Sequence, residues 1–496
     1  MNRNVLGALL FTLIGLIVFL FKPFDGLEGY GHQILGVVII ALGLWIFKPG
    51  NVPLFAGCAV VIFGALAVLN INSRAGNFLD LLEDGTTAVH TYTSAEVFNV
   101  ATNGFTSSTV WTLLPALYFG FVLQKTGLGK RLAYMVLKSF NPSWVTMALS
   151  WFIIGVILSA FTPSITVRIA IVVPIAMGIV EACKLEPRSK GSAFVTALAW
   201  AMCIFPGTGW LTGSLSGPFM QGVLPIDMKV FATNAEWIRI LCLPWMIITI
   251  LFMVLAYIFA KPNQPIGIPV ETFREEYKSL GPISKNETIV LVTLIICLIM
   301  FFTESKHGIP TAATALMAMF VFLISGIISP PELNTGINWD VILFFGATVG
   351  LSSLFRFAHI TNWFGPIVEP TIKSLAPTPL LFMIVFTIGM LIIRFIDVPW
   401  GFTTIALVAS VTSVLATDFG YHPLVVTMAF LIGINFFLLN YQQPWMLMAE
   451  GLTQNRGWAP NHMMLFGGIY VVSALVALVI AVPYWSSIGV LSIVIP

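Results

Sequence analysis

Thr162, Pro163, Ser164, Ile165, Thr166, Val167 and Arg168 make a polar break carrying one arginine inside an otherwise apolar run. Proline interrupts a helix, and a half-helix that begins beside it turns free N–H groups and its positive dipole end toward the break. Hydroxyls at Ser164 and Thr166 add to that end, and the Arg168 guanidinium is a planar fork that fits carboxylate, phosphonate or sulfonate oxygens. Together these groups have the chemistry of an anion site. The competing reading is local: hydroxyls that bond back to their own helix and an arginine that pairs internally.

A second constellation lies further along. Arg394 and Asp397 stand three residues apart on one apolar run, the spacing of an ion pair within a helix. Either that pair neutralises itself, or Asp397 takes a cation or proton while Arg394 faces the anion. Trp400, with Phe402 beside it, supplies aromatic surface that packs the tip or walls the apolar part of a substrate, favouring an organic anion over sulfate or phosphate. Thr403, Thr404, Asn440, Gln442 and Gln443 are neutral candidate ligands, as is Thr208 in the Gly- and Pro-rich interruption at 205–214.

Other chemistries are poorly served. No His, Asp and Glu stand at metal-ligand spacing and no nucleophile motif occurs, so neither an enzyme nor a bound cofactor is expected. A net charge of +2 offers no basic patch for nucleic acid. The five cysteines, at 58, 183, 203, 242 and 297, form no paired motif and read as small buried hydrophobes.

The elements that must position these residues are membrane helices. Of 496 residues, 58% are hydrophobic and 9% charged, where a soluble domain carries about 25% charged. The chain is therefore expected to be an all-α polytopic membrane protein. Spans are expected near 5–21, 34–47, 53–71, 107–124, 193–204, 238–260, 287–302, 309–328, 339–357, 424–439 and 463–482. Two pairs of arms, Trp144–Phe161 with Ile165–Ile179 and Leu380–Ile396 with Gly401–Ala416, read as re-entrant hairpins. The first span is expected to be retained rather than cleaved as a leader.

The second half repeats the first. At a constant offset Pro163 falls on Pro399 and Pro187 on Pro423, and each hairpin is followed by a run that breaks, at Phe205 and at Asn440. Lys125, Lys130, Arg131 and Lys138 argue for a cytoplasmic amphipathic stretch, and its counterpart at Thr361–Ser374, an odd number of crossings away, lies outside. The repeats are then inverted, with the site at the midplane between them and the N-terminus in the cytoplasm. Four segments follow: N-terminal scaffold helices 1–92, a first repeat 93–260, a linker with connecting helices 261–335, and a second repeat 336–496.

Pro163-Ser164-Ile165-Thr166-Val167-Arg168 is similar to the Pro-Ser-Asn-Thr-Ala-Arg tip of the divalent-anion:sodium symporter family, in its citrate/succinate and oxoglutarate/malate exchanger branch. The stretch from Lys125 through Lys130, Arg131 and Ala133, and that from Asn338 to Gly346, also resemble segments of that family. The resemblance implies a homodimer of eleven-span protomers in the cytoplasmic membrane, working by an elevator motion. It also implies tip residues that bind substrate carboxylate, and facing loops that help form cation sites. Ser164 and Thr166 match the tip pattern; Ile165 stands where the family has asparagine, and Trp400, Gly401 and Phe402 replace the second tip. A secondary transporter of a small organic anion is the resulting expectation, as exchanger or as a symporter coupled to Na+ or H+. A sodium/proton antiporter and an anion channel are the alternatives. The departures at both tips lead to the further expectation that sodium is not strictly required.

Overall fold

The computed structural model describes residues 3–81, 87–224, 228–375, 378–395 and 419–491. Three helices open the chain: α1 (Arg3–Phe21), α2 (Gly29–Phe47) and α3 (Phe55–Arg74). A short antiparallel pair follows, β1 (Phe78–Leu81) with β2 (Thr87–His90), in the register Phe78 opposite His90. Next come α4 (Ser94–Thr102), α5 (Ser108–Thr126) and α6 (Leu128–Leu137). The turn between α5 and α6 rests on Gly127 at φ 81°, a left-handed conformation that glycine adopts without strain and that swings α6 away from the helix before it.

The first hairpin is α7 (Trp144–Phe161) and α8 (Ile165–Ala182). α7 begins at a capping box made by Ser143 and Thr146, and it stops at Thr162, whose backbone is extended. α8 restarts with Ser164 as N-cap, the side chain accepting from the Val167 N–H at 3.4 Å. The tip packs on Gly120 of α5: a Cβ there would stand 2.8 Å from that of Ser164 and 3.0 Å from Thr162 Oγ1. Only glycine lets the tip approach so closely.

α9 (Lys190–Met202) then gives way to a single helical turn at Phe205–Thr208 and an irregular stretch, before α10 (Ser216–Val223). A π-helical turn at Ile238–Cys242 leads into α11 (Leu243–Ala260). The linker carries α12 (Val270–Ser279), and α13 (Lys285–Phe302) and α14 (Thr311–Ile324) close the first half. α15 (Trp339–Phe357), α16 (Ile360–Leu375) and α17 (Pro379–Ile393) repeat the order of α5, α6 and α7. α18 (Pro423–Asn435), α19 (Pro444–Leu452) and α20 (Pro460–Ser487) complete the described chain.

Among the described residues eleven helices are long and apolar enough to cross a bilayer. Two of them are the hairpin arms α7 and α8, and nine coincide with expected spans. The other two expected spans are the shorter apolar helices α14 and α18. The polytopic all-α architecture is as the composition required. Between the expected spans the structure adds β1 and β2 within 72–94 and α12 within 261–285.

α6 is fastened to the linker by one side chain. Arg131 is nearly buried and its fork meets Glu287 twice, Nε donating to Oε1 at 2.6 Å and Nη2 to Oε2 at 3.2 Å. Its remaining N–H groups donate to the carbonyls of Leu280, Gly281 and Pro282 at 2.9–3.2 Å. Glu287 also accepts from the Ser284 N–H at 2.7 Å, closing the capping box of α13. Every nitrogen of the guanidinium thus has an acceptor, which is what allows this charge to be buried.

Candidate functional site

Arg168 is wholly buried on α8, and its Nε, Nη1 and Nη2 have no hydrogen-bond partner among the described residues. A buried guanidinium without an acceptor carries the full cost of its lost hydration, several kcal/mol. The chain nonetheless makes room for it. A Cβ on Gly207 would lie 2.6 Å from Nη1 and 2.8 Å from the Ser159 Cβ, so the first break supplies bare backbone where the guanidinium lies.

That backbone is held by tryptophans. Breaking a helix at bilayer depth frees carbonyls that lipid cannot satisfy. The Trp245 indole donates to the Phe205 carbonyl, Trp237 Nε1 to the Thr208 carbonyl at 3.3 Å, and Trp210 Nε1 to the Ser159 carbonyl at 3.3 Å. Trp237 and Trp245 are eight residues apart, which in a regular helix leaves them about 80° apart in azimuth. The extra residue of the intervening π turn brings them to within about 20°, so both indoles serve one turn of backbone.

The second break is held by amides and an arginine. Arg394, buried at the end of α17, donates to the Gln442 carbonyl, and Gln442 Nε2 donates back to the Arg394 carbonyl at 3.2 Å. Gln442 Oε1 accepts from the N–H groups of Leu438 and Leu439 at 2.7 and 2.9 Å. Gln443 Nε2 donates to the carbonyls of Ile434 and Phe436 at 2.6 and 3.2 Å, and its Oε1 has no donor among the described residues. The Tyr470 hydroxyl donates to the Ile432 carbonyl at 2.8 Å.

The two breaks meet at Thr208 and Asn435. Asn435 Nδ2 donates to the Leu431 carbonyl at 2.9 Å and reaches Thr208 Oγ1 at 3.5 Å, while its Oδ1, also buried, has no partner among the described residues. Thr208 Oγ1 lies 3.4 Å from the Ile204 carbonyl, to which it donates.

Of the residues singled out in the sequence, Arg168 and Thr208 are brought to the first break, and Arg394, Gln442 and Gln443 to the second. Ser164 is buried at the tip, where it caps α8. Thr166 is exposed, as its position two residues and so about 200° of helix from Arg168 dictates. Asn440 is exposed and donates to Glu450 at 3.4 Å. Asp397, Trp400, Thr403 and Thr404 lie outside the described residues. Asn435 and the three tryptophans were not expected. Asn435 does carry a signal, being a lone amide in the apolar run Leu431–Phe437; a tryptophan that serves a carbonyl reads the same as one that fills a core. Among the described residues no three His, Cys, Asp or Glu are grouped to hold a metal ion.

These features define a polytopic membrane transporter built on interrupted helices, and solved structures share the fold. The chain is similar to the YdaH transporter of Alcanivorax borkumensis, with a TM-score of 0.58 at 14% identity over 87% of this chain and 98% of that one. It is also similar to MtrF of Neisseria gonorrhoeae, with a TM-score of 0.56 at 13% identity over 85% of this chain and 94% of that one. The chain belongs to the family described as the sodium:sulfate symporter transmembrane region, whose sequence profile it matches over residues 2–491.

Related sequences include a Bacillus subtilis protein provisionally named malate transporter YflS, 21% identical over 75% of this chain and 73% of its own length. Dicarboxylate transporter 1 of Spinacia oleracea chloroplasts is 22% identical over 57% of this chain, which spans about half of it, 51%. The L-tartrate/succinate antiporter of Shigella dysenteriae is 22% identical over 60% of this chain and 62% of its own. Family and relatives are transporters, not enzymes.

Proposed function

We propose that this protein is a secondary transporter of a small organic anion, a di- or tricarboxylate, and that it belongs to the exchanger branch of its family. The observation that carries the reading is Arg168: a wholly buried guanidinium with no acceptor among the described residues, laid against a break whose Phe205 and Thr208 carbonyls are already occupied. A carboxylate bound there supplies the missing acceptors and offsets the charge. The names of the relatives favour carboxylates over inorganic anions. Exchange is favoured because a fixed guanidinium provides positive charge without a co-bound cation, and because an unneutralised empty site is costly to carry through lipid. Transport proceeds by an elevator motion of the hairpins and interrupted helices, in a homodimer. The protein sits in the cytoplasmic membrane with its N-terminus inside, the side favoured by Lys125, Lys130, Arg131 and Lys138.

The test is thermal stabilisation of purified protein by mono-, di- and tricarboxylates, sulfonates, phosphonates and sulfate, with and without sodium. Stabilisation by a carboxylate that disappears in Arg168→Ala supports the proposal. Stabilisation that persists in the variant overturns the assignment of Arg168 as a ligand.

A further inference from the structure

We infer that the substrate carries a hydroxyl beside its carboxylate and that Asn435 accepts a hydrogen bond from it, which names the substrate class of the site proposed above and rests on that reading. The orientation of the Asn435 amide follows from its neighbours. Nδ2 faces the Leu431 carbonyl at 2.9 Å, so turning the amide over would set two acceptors against each other. Oδ1 therefore points away from its own helix. It is buried, on a residue only 2% exposed, and it has no donor among the described residues. Gln443 repeats the pattern. Its Nε2 is taken by the carbonyls of Ile434 and Phe436, and Oε1 is buried without a donor.

Two deficits therefore adjoin each other. Arg168 lies against Gly207 and lacks acceptors; Asn435 faces Thr208, the next residue, and lacks a donor. An anion made only of carboxylates repairs the first deficit and leaves the second, because an ionised carboxylate has no hydrogen to give. A 2-hydroxycarboxylate repairs both with one molecule. Thr208 does not serve the amide in its place, since its hydroxyl proton goes to the Ile204 carbonyl and its oxygen faces Nδ2. A cation is disfavoured at this oxygen by the uncompensated guanidinium beside it.

The preference is measured on the full chain in detergent by titrating three probes of similar size: butanedioate, 2-hydroxybutanedioate and 2-methoxybutanedioate. The ether keeps the oxygen and loses the proton. A site with an unsatisfied buried acceptor discriminates against a ligand that lacks the donor, so the hydroxy acid is expected to bind roughly tenfold or more tightly than either of the others. In Asn435→Leu the ratio falls to near one. Equal affinity of all three probes for the wild type overturns the inference and leaves the anion site standing, as expected if a trapped water serves Oδ1. A hydroxyl preference that survives in Asn435→Leu overturns it as well. Stabilisation by none of the three overturns the carboxylate reading of Arg168 itself, and the inference with it.

Discussion

Arg394 and Gln442 are tied to each other twice, the guanidinium donating to the Gln442 carbonyl and the Gln442 amide donating back to the Arg394 carbonyl. The exchange fastens the end of α17 to the break that faces it. Arg168 is equally buried and faces the other break, yet it makes no such bond. The same side chain at the two breaks thus does two things: one arginine ties backbone to backbone, and the other is the one proposed above to meet the anion.

The difference gives opposite stability signs. Replacing an uncompensated buried charge with an apolar side chain of similar length removes a desolvation cost. Arg168→Met is therefore expected to melt at or a few degrees above the wild type without substrate, while uptake falls to background and carboxylates no longer raise the midpoint. A midpoint lowered by ten degrees would mark Arg168 as structural. Arg394→Met, which strands the Gln442 carbonyl, is expected to melt several degrees lower.

Sodium should be dispensable. Ile165 cannot offer the oxygen of the family's asparagine, and the second tip reads Trp400, Gly401 and Phe402. In vesicles preloaded with dicarboxylate, replacing external sodium with choline should change the initial rate of uptake by less than about twofold. Abolition of uptake would contradict the exchanger reading.

The tryptophans allow a matched comparison. Trp245 and Trp237 donate to carbonyls of the first break, whereas the indole N–H groups of Trp151 and Trp200 are buried without partners among the described residues. All four lose similar volume on conversion to Phe. Trp245→Phe should cost about 1–3 kcal/mol more than Trp200→Phe, because only the former strands a buried acceptor. Thermal midpoints of the four variants, read side by side, check this.

At the surface, Arg131 and Glu287 should behave as one unit. Losing either partner of a nearly buried ion pair costs about 3 kcal/mol or more, and removing both costs less than the sum. A double-mutant cycle with Arg131→Met and Glu287→Leu, scored by thermal midpoint, is expected to show that coupling. Additive losses would mean that the carbonyls of Leu280, Gly281 and Pro282 hold Arg131 unaided.

Much of the fold was legible because the bilayer imposes length and polarity on each helix. The arm Trp144–Phe161 coincides with its sequence reading residue for residue, since Ser143 and Pro163 mark its ends chemically. The elements that were missed are short or start unconventionally: β1 and β2 have four residues each, and α19 begins at Pro444, a proline that stops one helix and suits the first turn of the next. At the site Arg168 was legible because a charge in an apolar run needs a reason. Thr166 was drawn in by motif spacing, although helical periodicity sets it on the opposite side from Arg168. The roles of Gln442 and Asn435 depend on which carbonyls lie across from them, and no pattern along one chain encodes that.

The unpaired guanidinium also has an electrical consequence. The elevator motion proposed above takes Arg168 across the bilayer and moves its charge through the membrane field, worth about 2.3 kcal/mol for each charge per 100 mV. Arg168 gives the empty site one positive charge, and a divalent anion bound there leaves the site with one net negative charge. An interior-negative voltage therefore draws the empty site inward and drives the loaded site outward. The two legs of a dianion-for-dianion exchange cancel, so voltage leaves exchange untouched while biasing where an idle carrier waits.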